Sequence, residues 1–378
     1  MVEQKIEKIY VAQSKTWASL SKITEFSRVG SSYLFTGPSG SGKEALAIKF
    51  AQLLNCEIKS KFPCNICPSC KRFIQLQHEH LNLVFPLPTP KSSNKNSSNF
   101  IDAKVVDVIN DEIKIKAKDL LHKITIPKSN RILLQSIKTL RKTLYLKSDA
   151  KGRKIVLIFD AHLLSSGQGE SANALLKLLE EPPNQTTLIL VTDKPNLLFS
   201  TIISRCQQVS IPKFNEKFII DWLQKREIKK THISLIAGLS DGNIYQVKYL
   251  ISESLDELLL LLSENIKKIS NNQSHEWRDF VQEYSKMANQ NQQLFSFHLC
   301  MFKIWFQSVN RLKKNLEHLL HSTPLKLGME RLIKKFPNAD YTSIVFEIEQ
   351  ANLAVSKHFY MPLVMISFLI RVKKYLNK

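Results

Sequence analysis

The chain has 378 residues, which is too long for one compact core, since single cores stop growing at about 250–300 residues. Hydrophobic residues make up 43% and charged residues 23%, so wholesale disorder is excluded. The net charge of +21, from 54 basic and 33 acidic side chains, favours polyanionic partners such as nucleic acid, although it could also be spread over solvated faces.

The sequence predicts neither a membrane span nor an export signal. Its most apolar stretch, residues 361–370, is interrupted by Pro362 and Ser367 and is shorter than the about 20 residues that a spanning helix needs. The N-terminus carries Glu3 and Glu7 and lacks the apolar segment of a signal peptide. Six cysteines in so long a chain do not make a disulfide framework. We therefore expect a cytoplasmic protein with reduced thiols and no membrane partner.

A glycine-rich loop stands between a predicted strand at residues 33–36 and a predicted helix at residues 45–54. The loop has the pattern G-x-x-x-x-G-K, and its glycines are Gly37, Gly40 and Gly42. In such a loop the backbone N–H groups converge on phosphate oxygens, and the lysine, here Lys43, reaches the terminal phosphates. The context predicts a phosphate-binding loop, and the alternative is a glycine turn without a ligand.

Two positions depart from what ATP hydrolysis needs. Glu44 stands where a Ser or Thr hydroxyl would hold magnesium, and its carboxylate adds negative charge beside a triphosphate. Asp160 ends a buried strand at residues 155–159 and suits the metal-binding acid, but Ala161 stands where a Glu would prepare the attacking water. We interpret His162 as an exposed loop residue without a catalytic role. The chain alone is not expected to hydrolyse ATP, and whether it binds ATP with magnesium is left open.

Four cysteines fall within fifteen residues directly after the helix that follows the glycine loop. They are Cys56, Cys64, Cys67 and Cys70. Four soft ligands suit a tetrahedral structural zinc, with no open position for water. An iron–sulfur cluster or four unrelated buried thiols are the alternatives.

The next segments alternate between loops, helices and strands. Residues 86–99 are rich in Pro, Ser, Asn and Lys and predict an exposed loop. Helical spacing follows at residues 136–145 and 171–181, and a buried strand at 187–191 closes on Thr192. Strands that alternate with helices predict an α/β domain with a parallel, doubly wound sheet over residues 1–212.

Helices dominate the remainder of the sequence. Residues 213–270 predict several short helices, which fit a small helical domain. Apolar residues then recur every three or four positions from 295 to 320, which predicts a long amphipathic helix. Residues 363–375 show the same spacing and predict a final helix.

These features together resemble the clamp-loader family of the AAA+ ATPases, and within it the delta-prime subunits of bacterial DNA polymerase III. The resemblance rests on the glycine loop, the four-cysteine module, residues 171–183 (Ser-Ala-Asn-Ala-Leu-Leu-Lys-Leu-Leu-Glu-Glu-Pro-Pro) and Ser204-Arg205-Cys206. It implies a P-loop AAA+ domain at residues 1–212 with a zinc module at 56–70, then a helical lid at 213–270 and a helical collar for oligomerisation at 271–378. The insertion at residues 86–129 departs from the family pattern.

The resemblance also implies a role in DNA replication. Such a subunit would be a non-hydrolysing scaffold in a ring with motor (gamma/tau-like) and delta subunits, which opens a sliding clamp and places it on primer-template DNA. Arg205 would enter the ATP site of a neighbouring motor subunit in trans, where a guanidinium offsets the charge on the transferring phosphoryl group. The alternative for Arg205 is a structural ion pair with an acid such as Glu180. Thr192 resembles the polar sensor position, or else it is a strand-capping threonine.

Two other functions remain open at this point. The chain could be an active ATPase motor subunit of the same loader, which Glu44 and Ala161 argue against. It could also be a zinc-knuckle protein that binds nucleic acid outside any ring. ATP turnover by the purified chain would favour the first, and a failure to assemble with loader subunits would favour the second.

Overall fold

The computed structural model describes residues 8–25, 29–58, 60–89, 103–146, 152–226, 228–271, 273–316, 323–356 and 359–378. The chain divides into two compact units. The N-terminal unit comprises Met1–Phe214 with Asn243–Tyr245, and the C-terminal unit comprises Asn215–Gly242 with Gln246–Lys378.

The strands of the N-terminal unit form one large and one small sheet. In chain order they are β1 (Ser32–Thr36), β2 (Leu81–Val84), β3 (Leu87–Pro88), β4 (Ser129–Arg131), β5 (Lys154–Ile158), β6 (Thr186–Thr192) and β7 (Gln207–Ser210). The large sheet has the order β2-β5-β6-β1-β7 and is parallel throughout, whereas β3 and β4 pair antiparallel. All seven residues of β6 are buried, as expected of a central parallel strand that is covered on both faces.

Helices connect the parallel strands, as a parallel sheet requires. Those of the N-terminal unit are α1 (Lys8–Ala12), α2 (Ser14–Glu25), α3 (Lys43–Leu54), α4 (Pro68–Ile74), α5 (Ala103–Lys118), α6 (Leu134–Tyr145), α7 (Glu170–Glu180) and α8 (Ser200–Ile203). The core on one side of the sheet packs Leu175 and Leu178 of α7 against strand residues such as Val156 and Leu188. This core holds the carboxyl ends of β1, β5 and β6 at one edge of the sheet, where ligands of such folds bind.

The described residues of the C-terminal unit form helices joined by turns and loops, with no strand among them. Its helices are α9 (Glu216–Gln224), α10 (Lys230–Ser240), α11 (Ile244–Ser252), α12 (Leu255–Ser270), α13 (Ser274–Gln290), α14 (Gln292–Lys313), α15 (Thr323–Lys335), α16 (Tyr341–Ser356) and α17 (Met361–Leu376), of which α11 begins in the N-terminal unit. Helix α14 buries a stripe of aromatic side chains, including Phe295, Phe302 and Phe306. Because one face of α14 is buried along its length, apolar residues recur every three or four positions in this part of the sequence.

The predicted fold class is confirmed, because a parallel α/β sheet precedes an all-helical unit. The long amphipathic helix is shorter than predicted: α14 ends at Lys313, Leu316 is exposed beyond it, and Leu320 lies outside the described residues. The division of the second half into a lid at 213–270 and a collar at 271–378 stays a prediction.

The insertion differs most from expectation. An exposed loop was predicted for residues 86–99, but residues 87–88 form β3 and Leu87 is buried, while residues 90–99 lie outside the described part of the chain. Helix α5 was not predicted. Its apolar residues mark no buried stripe, since Lys116 is its one buried residue. Its Val105, Ile109 and Ile113 do recur at helical spacing, but they are only partly buried, so the apolar face packs loosely against the unit.

Candidate functional site

The glycine loop has the predicted shape. It begins directly after β1, and α3 starts at Lys43. Gly37 has φ 153°, and a Cβ at this position would lie 2.0 Å from the carbonyl oxygen of Ile211. Gly42 has φ 78° and precedes the first helical residue, a left-handed conformation that favours glycine. Loop and helix together make a cradle with the geometry of a phosphate-binding site, and phosphate binding itself stays a prediction.

Lys43 folds back onto its own loop. Its Nζ donates a hydrogen bond to the carbonyl oxygen of Pro38 at 2.6 Å and lies 3.5 Å from Oγ of Ser41. Burial lowers the pKa of Lys43, and the nearby carboxylates of Asp193 and Glu44 act in the opposite direction. The ammonium group is thus held inside the cradle.

Glu44 is buried at the start of α3, and its carboxylate contacts a lysine from the insertion. Nζ of Lys116 donates to Oε2 of Glu44, and the Lys116 side chain is fully buried. The carboxylate therefore has a cationic partner from the same chain at the position where a hydroxyl would hold magnesium. No pattern in the sequence connects these residues, which are 72 positions apart.

Asp160 follows β5 with φ 48° and points at the same cradle. It too has a lysine partner from the insertion, with Nζ of Lys123 donating to Oδ1 at 3.1 Å. Burial by itself lowers the pKa of Lys123, but the carboxylates of Asp160, Glu44 and Asp193 together raise it above its usual value. Lys123 therefore stays charged.

Thr192 ends β6 beside Asp160, as expected from the parallel register. Its Oγ1 lies 3.0 Å from Nδ1 of His162 and accepts a hydrogen bond from the backbone of Lys194 at 3.0 Å. The interpretation of His162 as an exposed loop residue was wrong. It is 8% exposed, and burial lowers its pKa. The same ring nitrogen lies 4.0 Å from Oδ1 of Asp193, so the imidazole sits between the Thr192 hydroxyl and the Asp193 carboxylate.

Asp193 is a site residue that the sequence did not single out. Its carboxylate, that of Asp160 and the His162 ring offer ligand atoms that all lie within 4.8 Å of one another. Because Lys123 already contacts Asp160, this cluster has a cation beside it. The only sequence signal for Asp193 is its place directly after the polar end of a buried strand.

The residues present do not fit a nucleotide with its magnesium ion. The cavity bounded by the glycine loop, Asp160, Asp193 and Lys123 measures about 20 Å³. A single water molecule needs about 10–15 Å³, and ligand pockets commonly measure about 300–1,000 Å³. The cradle therefore has the shape of a phosphate site but room for little more than water.

The four predicted cysteine ligands lie together in the N-terminal unit. The Sγ atoms of Cys56, Cys64, Cys67 and Cys70 all lie within 4.8 Å of one another, and those of Cys64 and Cys70 are 3.8 Å apart. A tetrahedron of sulfurs about 2.3 Å from a central ion has edges of about 3.8 Å, whereas a disulfide would bring two sulfurs to about 2.05 Å. The cluster has the geometry to hold one metal ion.

Backbone donors and a buried lysine support this cluster. The amides of Cys64, Cys67 and Cys70 each donate to the sulfur of the preceding cysteine of the set, at 3.3–3.4 Å. Beneath them Lys49 is buried, and burial lowers its pKa to about 8 while Cys70 acts to raise it. Donors and positive charge around sulfur stabilise thiolates, the form that binds metal.

Arg205 lies apart from the glycine loop. Oγ of Ser32, at the start of β1, donates to its carbonyl oxygen at 2.6 Å, whereas the loop begins after the other end of β1. At about 3.3 Å per residue, the five residues of β1 separate these ends by roughly 13 Å. The Arg205 side chain is 37% exposed, and its guanidinium contacts Glu180. The structure therefore does not bring Arg205 to the cradle of its own chain.

Among the described residues, no helix is both long enough and apolar enough to cross a membrane.

Comparison with known proteins gives consistent matches. A family model described as "DNA polymerase III, delta subunit" matches residues 12–215, which is more than half of the chain. The tau subunit of DNA polymerase III from Bacillus subtilis is 28% identical over 230 residues, 59% of this chain and 33% of that protein. The delta' subunit from the same organism is 27% identical over 218 residues, 58% of this chain and 53% of that protein.

Other matches are of the same kind. The delta' subunit from Pseudomonas aeruginosa is 25% identical over 264 residues, 69% of this chain and 67% of that protein. The match thus spans between about a third and about half of the two Bacillus subtilis relatives. A gamma subunit-related protein of DNA polymerase III from Thermotoga maritima aligns over 99% of both chains, with 16% identity and a TM-score of 0.36.

Proposed function

The chain belongs to the DNA polymerase III delta subunit family and so to the clamp loaders, and on that premise we propose that it acts as a delta-prime-like scaffold subunit. In this role it holds one side of a hetero-oligomeric ring and does not hydrolyse ATP. The single observation that carries the proposal is a well-formed phosphate loop that lacks two groups for hydrolysis. Glu44 stands at the position of the magnesium-binding hydroxyl, and Ala161, after β5, stands at the position of the carboxylate that prepares water. Without a metal-binding hydroxyl and a carboxylate to prepare water, the cradle keeps its shape but lacks the groups for turnover.

Arg205 supplies the second part of the proposed role. Its guanidinium is partly exposed and lies at the opposite end of β1 from the cradle of its own chain, so any ATP site that it serves belongs to another chain. We assign it as the arginine finger for a neighbouring motor (gamma/tau-like) subunit. A guanidinium that enters a nucleotide site in trans offsets the charge that spreads over the phosphoryl oxygens.

The cysteine cluster completes the proposal as a structural zinc site. Cys56, Cys64, Cys67 and Cys70 would hold the ion, and zinc would cross-link the segment that follows α3 to the first turn of α4 rather than supply chemistry. Four sulfurs at tetrahedral spacing leave no open position. The partners proposed on this basis are motor and delta subunits, with the sliding clamp and primer-template DNA reached through the assembled ring.

Two measurements test the proposal. The purified chain should show no ATP turnover above background, and it should co-elute with motor and delta subunits at the mass of a hetero-oligomer. Turnover by the isolated chain would make it a motor subunit instead. A chain that remains monomeric beside these subunits but binds nucleic acid would be a zinc-knuckle nucleic-acid-binding protein.

A further inference from the structure

Both lysines that contact the carboxylates of the cradle come from one short segment. Lys116 is in the last turn of α5, and Lys123 follows after a tight turn. This segment belongs to the insertion at residues 86–129. No motif of the phosphate loop requires it, so its place in the cradle is a property of this chain.

The segment is fastened on both sides of the two lysines. Oε2 of Glu112 lies 2.9 Å from Nε2 of His122 and accepts a hydrogen bond from the amide of Thr125 at 2.9 Å. Beyond the turn, Ile124 and Ile126 are buried at 7% and 4% exposure. Polar contacts therefore fold the segment back on α5, and apolar contacts fix it to the unit.

Lys116 is the most completely enclosed of these cations. Its Nζ contacts the Glu44 carboxylate and the carbonyl oxygen of His122, and it lies 5.4 Å from the centre of the Phe159 ring. A carboxylate, a carbonyl and an aromatic face are all negative surfaces, as expected around a cation that has lost its water. The contacts come from the phosphate-loop helix, from the insertion itself and from Phe159, the residue that follows β5.

Charge in the cradle is balanced without any ligand. The lysines Lys43, Lys116 and Lys123 face three carboxylates, those of Glu44, Asp160 and Asp193. In a phosphate loop that binds nucleotide, magnesium and the lysine offset the charge of the phosphates. Here two ammonium groups contact the two carboxylates at the metal-binding positions.

We infer that residues 103–126 are a resident pseudo-ligand of the phosphate cradle, in which Lys116 and Lys123 replace the magnesium ion and close the site to nucleotides. This inference deepens the proposed function, because it names what fills the site of a non-hydrolysing subunit. It depends on the geometry of the isolated chain, whereas the arginine-finger role depends on the assembled ring. The two are therefore tested separately.

The first test measures whether Lys116 is shielded in the full-length chain as it exists. Amines are acetylated with limiting sulfo-NHS-acetate in native buffer and in urea, and the ratio of the two rates is read at each lysine by mass spectrometry. Lys114, on the same helix and 67% exposed, is the internal control. We expect Lys116 to be protected about 100-fold more than Lys114, since its side chain must leave the cradle to react. Equal protection of the two lysines would overturn the inference.

The second test opens the cradle. The triple variant Glu44→Thr/Lys116→Met/Lys123→Met restores the hydroxyl of the G-x-x-x-x-G-K-[ST] pattern and removes both ammonium groups. We expect the parent chain to bind a fluorescent ATP analogue with magnesium no tighter than about 1 mM, and the opened variant to bind at least about tenfold tighter. The control Lys114→Met/Lys118→Met removes two exposed lysines of α5 and should behave as the parent.

Each outcome of the second test is decisive. Micromolar binding to the parent chain would show that the segment does not close the site. A folded opened variant that binds no better than the parent would show that something other than the lysines excludes nucleotide. If the opened variant does not fold, the acetylation ratio of the parent chain decides. Failure to assemble with loader subunits would contradict the proposed function. It would not affect the acetylation and nucleotide-binding results, which are measured on the isolated chain.

Discussion

Arg205 and Glu180 form an ion pair, with Nη2 of the arginine 2.7 Å from Oε1 of the glutamate. The guanidinium also donates from Nη1 to the carbonyl oxygen of Thr201 at 3.0 Å. Both charged side chains are more than a third exposed, so solvent screens the pair and its net contribution is small. The pair holds Arg205 in a defined position, and because it is weak we expect that a partner with more negative charge would displace Glu180.

Replacing Glu180 with Gln tests whether the pair is a resting contact. We expect the free energy of unfolding to change by less than about 1 kcal/mol, since the pair is exposed. We also expect the ATPase of the assembled ring to be retained, because the guanidinium still reaches its partner. Glu181→Gln, at the neighbouring exposed position, is the control. A loss of ATPase as deep as that caused by Arg205→Ala would mean that the pair itself is the functional element.

Replacing Lys116 with Met tests the energetic role of the buried pair in the cradle. The change leaves the Glu44 carboxylate buried without its cation, and we expect a loss of about 3 kcal/mol in the free energy of unfolding. Lys114→Met removes an exposed lysine of the same helix and should change stability by less than about 0.5 kcal/mol. Urea unfolding curves measure both. If the two variants are equally stable, Lys116 is exposed to water and does not contact the Glu44 carboxylate.

Removal of the metal should destabilise the N-terminal unit. We expect purified protein to contain about one zinc ion per chain and to be colourless, because four cysteines form a closed site. Chelation should lower the melting temperature by about 5 °C or more, since metal binding contributes folding free energy. Cys67→Ser should abolish zinc binding, whereas Cys300→Ser, in α14, should not. Iron in the purified protein, or a melting curve that chelation leaves unchanged, would contradict the structural zinc site.

The C-terminal unit should lose stability in mild acid because of His298. This residue is buried in α14, its Nδ1 lies 3.0 Å from the Tyr284 hydroxyl, and burial lowers its pKa from 6.5 to about 4. The unfolded state therefore binds the proton more readily, so stability is full above pH 6.5 and falls as the pH drops towards 4. The loss approaches about 3 kcal/mol. His298→Gln should remove this part of the pH dependence in urea unfolding, and an unchanged slope would exclude His298 as its source.

Local patterns in the sequence were sufficient for much of the fold and the site. The close spacing of the four cysteines, which lie within fifteen residues, predicts that they cluster. The glycine pattern predicts the turn between β1 and α3. Asp160 and Thr192 were found because each ends a buried strand, and parallel strands end at one edge of the sheet. The ion pair of Arg205 with Glu180 had been named from the sequence as the alternative to its role in trans.

Contacts between distant segments were not predictable in this way. Lys116 and Glu44 are 72 positions apart. Nothing in the sequence distinguishes Lys116, which enters the cradle, from Lys114 and Lys118, which stay exposed on the same helix. Helix α5 was missed although Val105, Ile109 and Ile113 recur at helical spacing, and these side chains are only partly buried in the structure. His162 was misjudged because its burial depends on Thr192 and Asp193, which come from another strand. Tertiary contacts decided each of these cases.

The most direct test of the proposed function is the DNA-stimulated ATPase of the ring assembled with wild-type chain and with Arg205→Ala. Arginine fingers contribute about 10³–10⁵ in rate at the site that they serve, so we expect turnover to fall clearly while the mass of the ring stays the same. Arg205→Lys should not restore it, because an ammonium group lacks the planar fork of the guanidinium. Turnover that remains at the wild-type level in a fully assembled Arg205→Ala ring would contradict the proposed function.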